Sequence, residues 1–108
     1  MQQQPRRERH QPPRIVAADL DGTLLPLRLD GSQRLSPATV AAVRTLDQMG
    51  IAVLLVTGRM FRSAADFAGR LGLGGPVVAY QGALIREVSS GRVLHSDPVP
   101  MDLAREVL

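Results

Sequence analysis

Two carboxylates, Asp19 and Asp21, stand either side of Leu20 and are followed by Gly22 and Thr23, directly after the apolar run Ile15-Val16-Ala17-Ala18. A carboxylate is already ionised at pH 7, so Asp19 needs no base to act as a nucleophile. It needs an electrophile held in line. The phosphorus of a phosphate ester is one, provided a cation offsets the repulsion between two anions. Mg2+ can do this by bridging carboxylate and phosphate oxygens. Asp21, at the same strand end, can protonate a departing alkoxide and later take a proton from water. Gly22 permits the sharp turn, and the Thr23 hydroxyl can tie it to the backbone. The competing reading is an Asp-Gly turn with an incidental second Asp. Four fixed residue types within five positions make coincidence the weaker explanation.

A second group, Thr57-Gly58-Arg59, ends another apolar run. The Thr57 hydroxyl and the free N–H groups at the start of a following helix would form an anion site, with Arg59 able to assist. A plain helix cap would use Thr57 equally well, and a first-turn arginine can simply be solvated. Gln81 and Gly82 follow a third apolar run, so Gln81 either faces the substrate or belongs to an ordinary turn. Tyr80 is expected to pack at the strand end. His10 and His95 have no acidic partner nearby in sequence and read as exposed, non-catalytic residues.

The elements that must position these groups follow from periodicity and punctuation. The run at residues 15–18 is continuous enough for a strand buried on both faces. Pro26, Asp30 and Gly31 mark a loop. Ser36 then caps a helix with Pro37 in its first turn, and Gly50 closes it in the left-handed conformation. Val40, Val43, Leu46 and Met49 recur at helical spacing. Residues 51–56 form a second strand, which implies a right-handed parallel crossover. A second helix over residues 60–71 turns Phe61, Ala64, Ala65, Ala68 and Leu71 inward. Residues 77–80 give a third strand. Residues 83–88 and 92–95 read as a hairpin, and an amphipathic helix begins at Met101. The fold class is α/β, with a parallel sheet whose strand ends carry the chemistry. The expected organisation is a tail over residues 1–13, a partial core over residues 14–82, and a hairpin with the start of a helix over residues 83–108.

Composition sets limits. In 108 residues, 44% are hydrophobic but only 3% aromatic, so Val, Leu, Ile and Ala must build the core. No cysteine is present, which excludes disulfides and thiolate chemistry and fits a reducing, cytoplasmic setting. The apolar run at residues 51–56 is far too short to cross a bilayer, and the N-terminus has no apolar signal core. Net charge is +3, and the Gln-, Pro- and Arg-rich first fourteen residues account for all of it. That tail reads as disordered. Without a basic folded face or stacking aromatics, neither a nucleic-acid nor a membrane partner is expected.

These segments resemble the haloacid dehalogenase superfamily, specifically its Cof-type class IIB sugar-phosphate phosphatases, over residues 14–108. Asp19-Leu20-Asp21-Gly22-Thr23-Leu24-Leu25 is similar to the first motif of that family, and Val56-Thr57-Gly58-Arg59 to the second. Residues 75–83 resemble the third-strand segment, which usually reads Asn-Gly-Ala where this chain has Gln81-Gly82-Ala83. The resemblance implies a Rossmannoid core and a small phosphorylated metabolite as substrate. It implies Asp19 as nucleophile and Mg2+ ligand, and Asp21 as acid/base that binds Mg2+ through its carbonyl. Thr57, with Gly58 and Arg59, would hold the phosphate.

The same resemblance implies parts absent from these 108 residues. Family members use a basic residue late in the chain, commonly lysine, and a further acidic motif that completes the metal site. Here all thirteen basic residues are arginine. The hairpin would lead toward a large α/β cap, and the first strand, central in a complete sheet, would be left as an edge. Three expectations follow: a phosphohydrolase represented by its N-terminal half-core, an inactive remnant or subunit completed by self-association or a partner along that edge, or a phosphomutase.

Overall fold

The computed structural model describes residues 11, 13–27, 30 and 32–107. His10 and all but two residues of the tail lie outside them. Three parallel strands alternate with two helices: β1 (Ile15–Ala18), α1 (Pro37–Gln48), β2 (Ala52–Val56), α2 (Phe61–Arg70) and β3 (Pro76–Ala79). A 3-10 turn at Tyr80–Gly82 leads into β4 (Leu84–Glu87) and β5 (Val93–Ser96), and α3 (Met101–Val107) follows. The five strands form one sheet in the order β1-β2-β3-β4-β5. The hairpin adds antiparallel to β3, so the sheet is mixed. The α/β architecture expected from the sequence is present.

Local chemistry explains the helices. Ser36 is extended (φ −71°, ψ 150°), and its hydroxyl accepts from the Thr39 N–H at 3.1 Å while Pro37 occupies the first turn. Gly50, at φ 75°, reverses the chain after α1, as its position predicted. α2 ends in the same way at Gly72, where Leu73 N–H donates back to the Ala68 carbonyl at 2.8 Å. Its inward face includes Phe67 as well as Ala64, Ala68 and Leu71. The sequence reading omitted Phe67, which is buried against the sheet.

One expectation fails. β1 is not buried on both faces: Ile15 is 61% exposed, and exposure alternates along the strand. The reason is topological. Two right-handed crossovers running the same way along a sheet place both helices on the same face. Val53, Leu55, Val77 and Ala79 therefore point into the core, while Ile15, Leu54, Val78 and Ile85 line a groove on the opposite side.

The core is sealed at the carboxyl ends of the strands by Leu20 and Leu25, both essentially inaccessible to solvent. Each contributes on the order of 1.5–3 kcal/mol by burial. They belong to the aspartate motif itself, so the loop carrying the carboxylates is pinned from beneath.

Candidate active site

The loop after β1 is a closed turn. Leu25 N–H donates to the Leu20 carbonyl and Gly22 N–H to the Leu25 carbonyl, both at 2.8 Å. Thr23 N–H also donates to Leu20, at 3.2 Å. The backbone of Thr23, and not its hydroxyl, therefore ties the turn. Gly22 sits at φ 79°, where a side chain would be strained. With Leu20 and Leu25 as anchors, Asp19 and Asp21 project outward. Asp19 Oδ1 accepts from the Leu20 N–H at 2.7 Å, which orients the carboxylate.

Thr57 lies one position beyond β2, beside this loop, and is 3% exposed. Its N–H donates to the Val78 carbonyl at 2.9 Å, and its hydroxyl oxygen accepts from the Arg59 N–H at 3.1 Å. The hydroxyl proton remains available to donate. Thr57 does not cap α2: Met60 holds the cap position and makes no side-chain cap bond. The competing cap reading of Thr57 is therefore not what the geometry shows.

Arg59 reaches back across the strand ends. Its guanidinium donates to both oxygens of Asp21, at 2.6 and 2.8 Å, and to Ser63 Oγ at 2.9 Å. The group also lies 5.1 Å from the centre of the Phe67 ring. Hydrogen bonding to Arg59 holds the Asp21 carboxyl below its ordinary value, and the same pairing raises Arg59. Sequence reasoning assigned Arg59 to an anion and did not anticipate this partner. Ser63 and Phe67 were missed as well; Ser63 stands four residues beyond Arg59, the spacing of neighbours on a helix face.

The turn after β3 completes the surroundings. Tyr80 (φ 50°) and Gln81 (φ 57°) are both left-handed, and Gly82 follows at φ 99°. Two non-glycine residues in this region store strain unless other bonds fix them. Here Tyr80 N–H donates to the Arg59 carbonyl and Gln81 N–H to the Thr57 carbonyl, at 3.0 and 3.1 Å. Tyr80 is 45% exposed and not packed as expected, because the reversed turn swings its ring outward. The Gln81 side chain lies against Gly58, so close that a Cβ there would collide with it. His95 is exposed on β5, as read.

Asp19, Asp21, Thr57, Gly58, Arg59 and Gln81 line a single open cleft of about 580 Å³ over the ends of β1 and β2. Gly82 does not line it; its place is in the strained turn. Among the described residues, no three His, Cys, Asp or Glu side chains converge as a metal site.

A family model described as haloacid dehalogenase-like hydrolase matches residues 16–108. The chain belongs to the haloacid dehalogenase-like hydrolases. The chain is similar to a phosphoglycolate phosphatase of Aeropyrum pernix, 36% identical over 97 residues. That match covers 88% of this chain and 39% of the relative. An HMP-PP phosphatase of Serratia proteamaculans is 33% identical over 95 residues, 88% of this chain and 33% of that protein. A solved haloacid dehalogenase-like hydrolase from B. subtilis superposes with a TM-score of 0.72 at 29% identity, covering 88% of this chain and 32% of the other. The chain spans about a third of the length of the curated relatives it matches.

Proposed function

We propose that this chain carries the nucleophile and phosphate cradle of a Cof-type, Mg2+-dependent phosphohydrolase acting on small phosphate monoesters, sugar phosphates among them. The observation that carries the reading is the meeting of Asp19 with Thr57 and Gly58 in one cleft at the ends of adjacent parallel strands. The phosphatase names of the relatives support it.

In this mechanism Asp19 attacks phosphorus, and the ester P–O bond breaks with its electron pair leaving on the alkoxide. Asp21 supplies the proton that makes the alkoxide an alcohol. Water then attacks the aspartyl-phosphate, its proton passes to Asp21, and Asp19 returns as carboxylate with inorganic phosphate released. The Thr57 hydroxyl and the neighbouring Gly58 N–H donate to phosphate oxygens and keep the group in line. Asp21 enters the first step as the carboxylic acid and leaves it as the carboxylate, the form that hydrogen bonding to Arg59 favours; the proton it then takes from water restores the acid for the next turnover.

The donor set fits Mg2+: hard carboxylate oxygen from Asp19, and the Asp21 carbonyl, to which no backbone N–H donates among the described residues. Mg2+ is commonly held by one or two protein oxygens, with water and phosphate completing its shell. Bound there, it would neutralise charge between nucleophile and phosphate.

The test is turnover of p-nitrophenyl phosphate with magnesium chloride, comparing the chain with Asp19→Asn. Loss of turnover in the variant is expected, and unchanged turnover would remove Asp19 from the mechanism. A second reading, a unit completed by another polypeptide and inactive alone, draws on β1, which has a strand neighbour on only one side among the described residues.

A further inference from the structure

Arg59 makes more connections than any phosphate ligand needs. Its side chain joins the loop after β1 through Asp21 and joins α2 through Ser63 and Phe67. Its backbone joins the Thr57 hydroxyl on one side and the Tyr80 N–H on the other. A single residue thus fastens all three parallel strand ends. We infer that Arg59 is a positioning residue, which fixes the Asp21 carboxylate and registers the three strand-end loops, and that it does not itself hold the phosphate. The inference rests on the phosphohydrolase reading only for the role of Asp21; the clamp is a claim about geometry.

Three features carry it. The pairing is bidentate, the strongest and most directional arrangement available to guanidinium and carboxylate. The Arg59 side chain is 18% exposed, against 43% for Asp21, so the clamp is the less accessible partner and the carboxylate the more accessible one. The ring of Phe67 and the hydroxyl of Ser63 hold the guanidinium from behind, so turning it to an anion in the cleft would break several contacts together. Lysine cannot replace this fork.

The test uses the full chain, labelled with nitrogen-15, with inorganic phosphate and magnesium chloride as the probe. The Arg59 Nε–H signal should be protected from exchange in the unaltered chain, lose protection in Asp21→Asn, and stay protected at saturating phosphate. Phosphate affinity should change less than about threefold in Arg59→Ala and in Arg59→Lys, because neither removes a phosphate contact. In turnover of p-nitrophenyl phosphate the loss should fall on kcat, by about tenfold or more, with KM held within about twofold. Arg59→Lys serves where Arg59→Ala does not fold. Loss of Nε–H protection on adding phosphate, or a loss of phosphate affinity above about tenfold in Arg59→Lys, would make Arg59 a phosphate ligand and overturn the inference. Failure of the unaltered chain to bind phosphate would count against the phosphohydrolase reading instead. The Nε–H comparison would still decide the clamp: protection dependent on Asp21 supports it, and an unprotected Nε–H overturns it.

Discussion

Arg59 grips Asp21 with two hydrogen bonds, Nε to Oδ2 at 2.8 Å and Nη2 to Oδ1 at 2.6 Å, and so joins the loop after β1 to the loop after β2. Hydrogen bonding to this guanidinium lowers the Asp21 carboxyl below its ordinary value of 3.8, so the folded state favours the ionised form. The stabilisation is fully present above that ordinary value and is lost as pH falls through the lowered one. Because Asp21 is 43% exposed, solvent screening limits it to at most about 1 kcal/mol. Thermal melts of the chain and of Asp21→Asn should therefore differ at pH 7 and converge below the lowered value. A difference that persists unchanged into strong acid would mean that the pair adds nothing through its charge.

Gly58 and Gln81 make a second coupled pair. A Cβ on Gly58 would collide with the end of the Gln81 side chain and stand 2.9 Å from its Cδ, so the flexible, exposed end of Gln81 must swing aside. The cleft that both residues line would then be reshaped. Gly58→Ala should weaken inorganic phosphate binding by about threefold, because the added methyl and the displaced end of Gln81 both crowd the cleft. Adding Gln81→Ala should recover part of the loss, because the two substitutions share one contact. Calorimetric titration checks both variants, and Gly58→Ala binding phosphate like the unaltered chain would refute the coupling.

Much of this arrangement is legible in the chain itself. Ser36-Pro37 and Gly50 delimit α1 because capping and left-handed closure are local chemistry, carried by the residues that perform them. The motif at Asp19 and Asp21 is local too, and the turn it forms needs no distant partner. What escapes is long-range. Nothing near Arg59 in sequence announces a carboxylate 38 positions away. Apolar continuity in Ile15-Val16-Ala17-Ala18 resembles a strand covered on both faces, and only the one-sided placement of the helices shows that Ile15 is exposed. The left-handed backbone at Gln81 is equally hidden, since the bonds that hold it come from Thr57 and Arg59. It also gives a physical reason for the asparagine usual at this place in the resembling family, because asparagine tolerates that conformation better.

Among the described residues β1 has a strand neighbour on one side only, which bears directly on solution behaviour. Ile15 and Ala17 are exposed on a strand without charged side chains, beside an apolar groove that includes Leu54, Val78 and Ile85. Such edges pair with other chains unless a charge interrupts them. Sedimentation velocity of the 108-residue chain is expected to show concentration-dependent association, reduced by Ala17→Lys. A single monomeric species with a sharp cooperative melt would contradict this.

In the proposed reaction Asp19 supplies the oxygen that attacks phosphorus. An acyl phosphate formed there is reduced by borohydride to homoserine, a change that peptide mass spectrometry assigns to one residue. The chain incubated with magnesium and an aryl phosphate, then quenched with borohydride, should carry homoserine at position 19 and nowhere else, with none formed when substrate is omitted. Modification at Asp21, or turnover without any trapped product at position 19, would contradict the account.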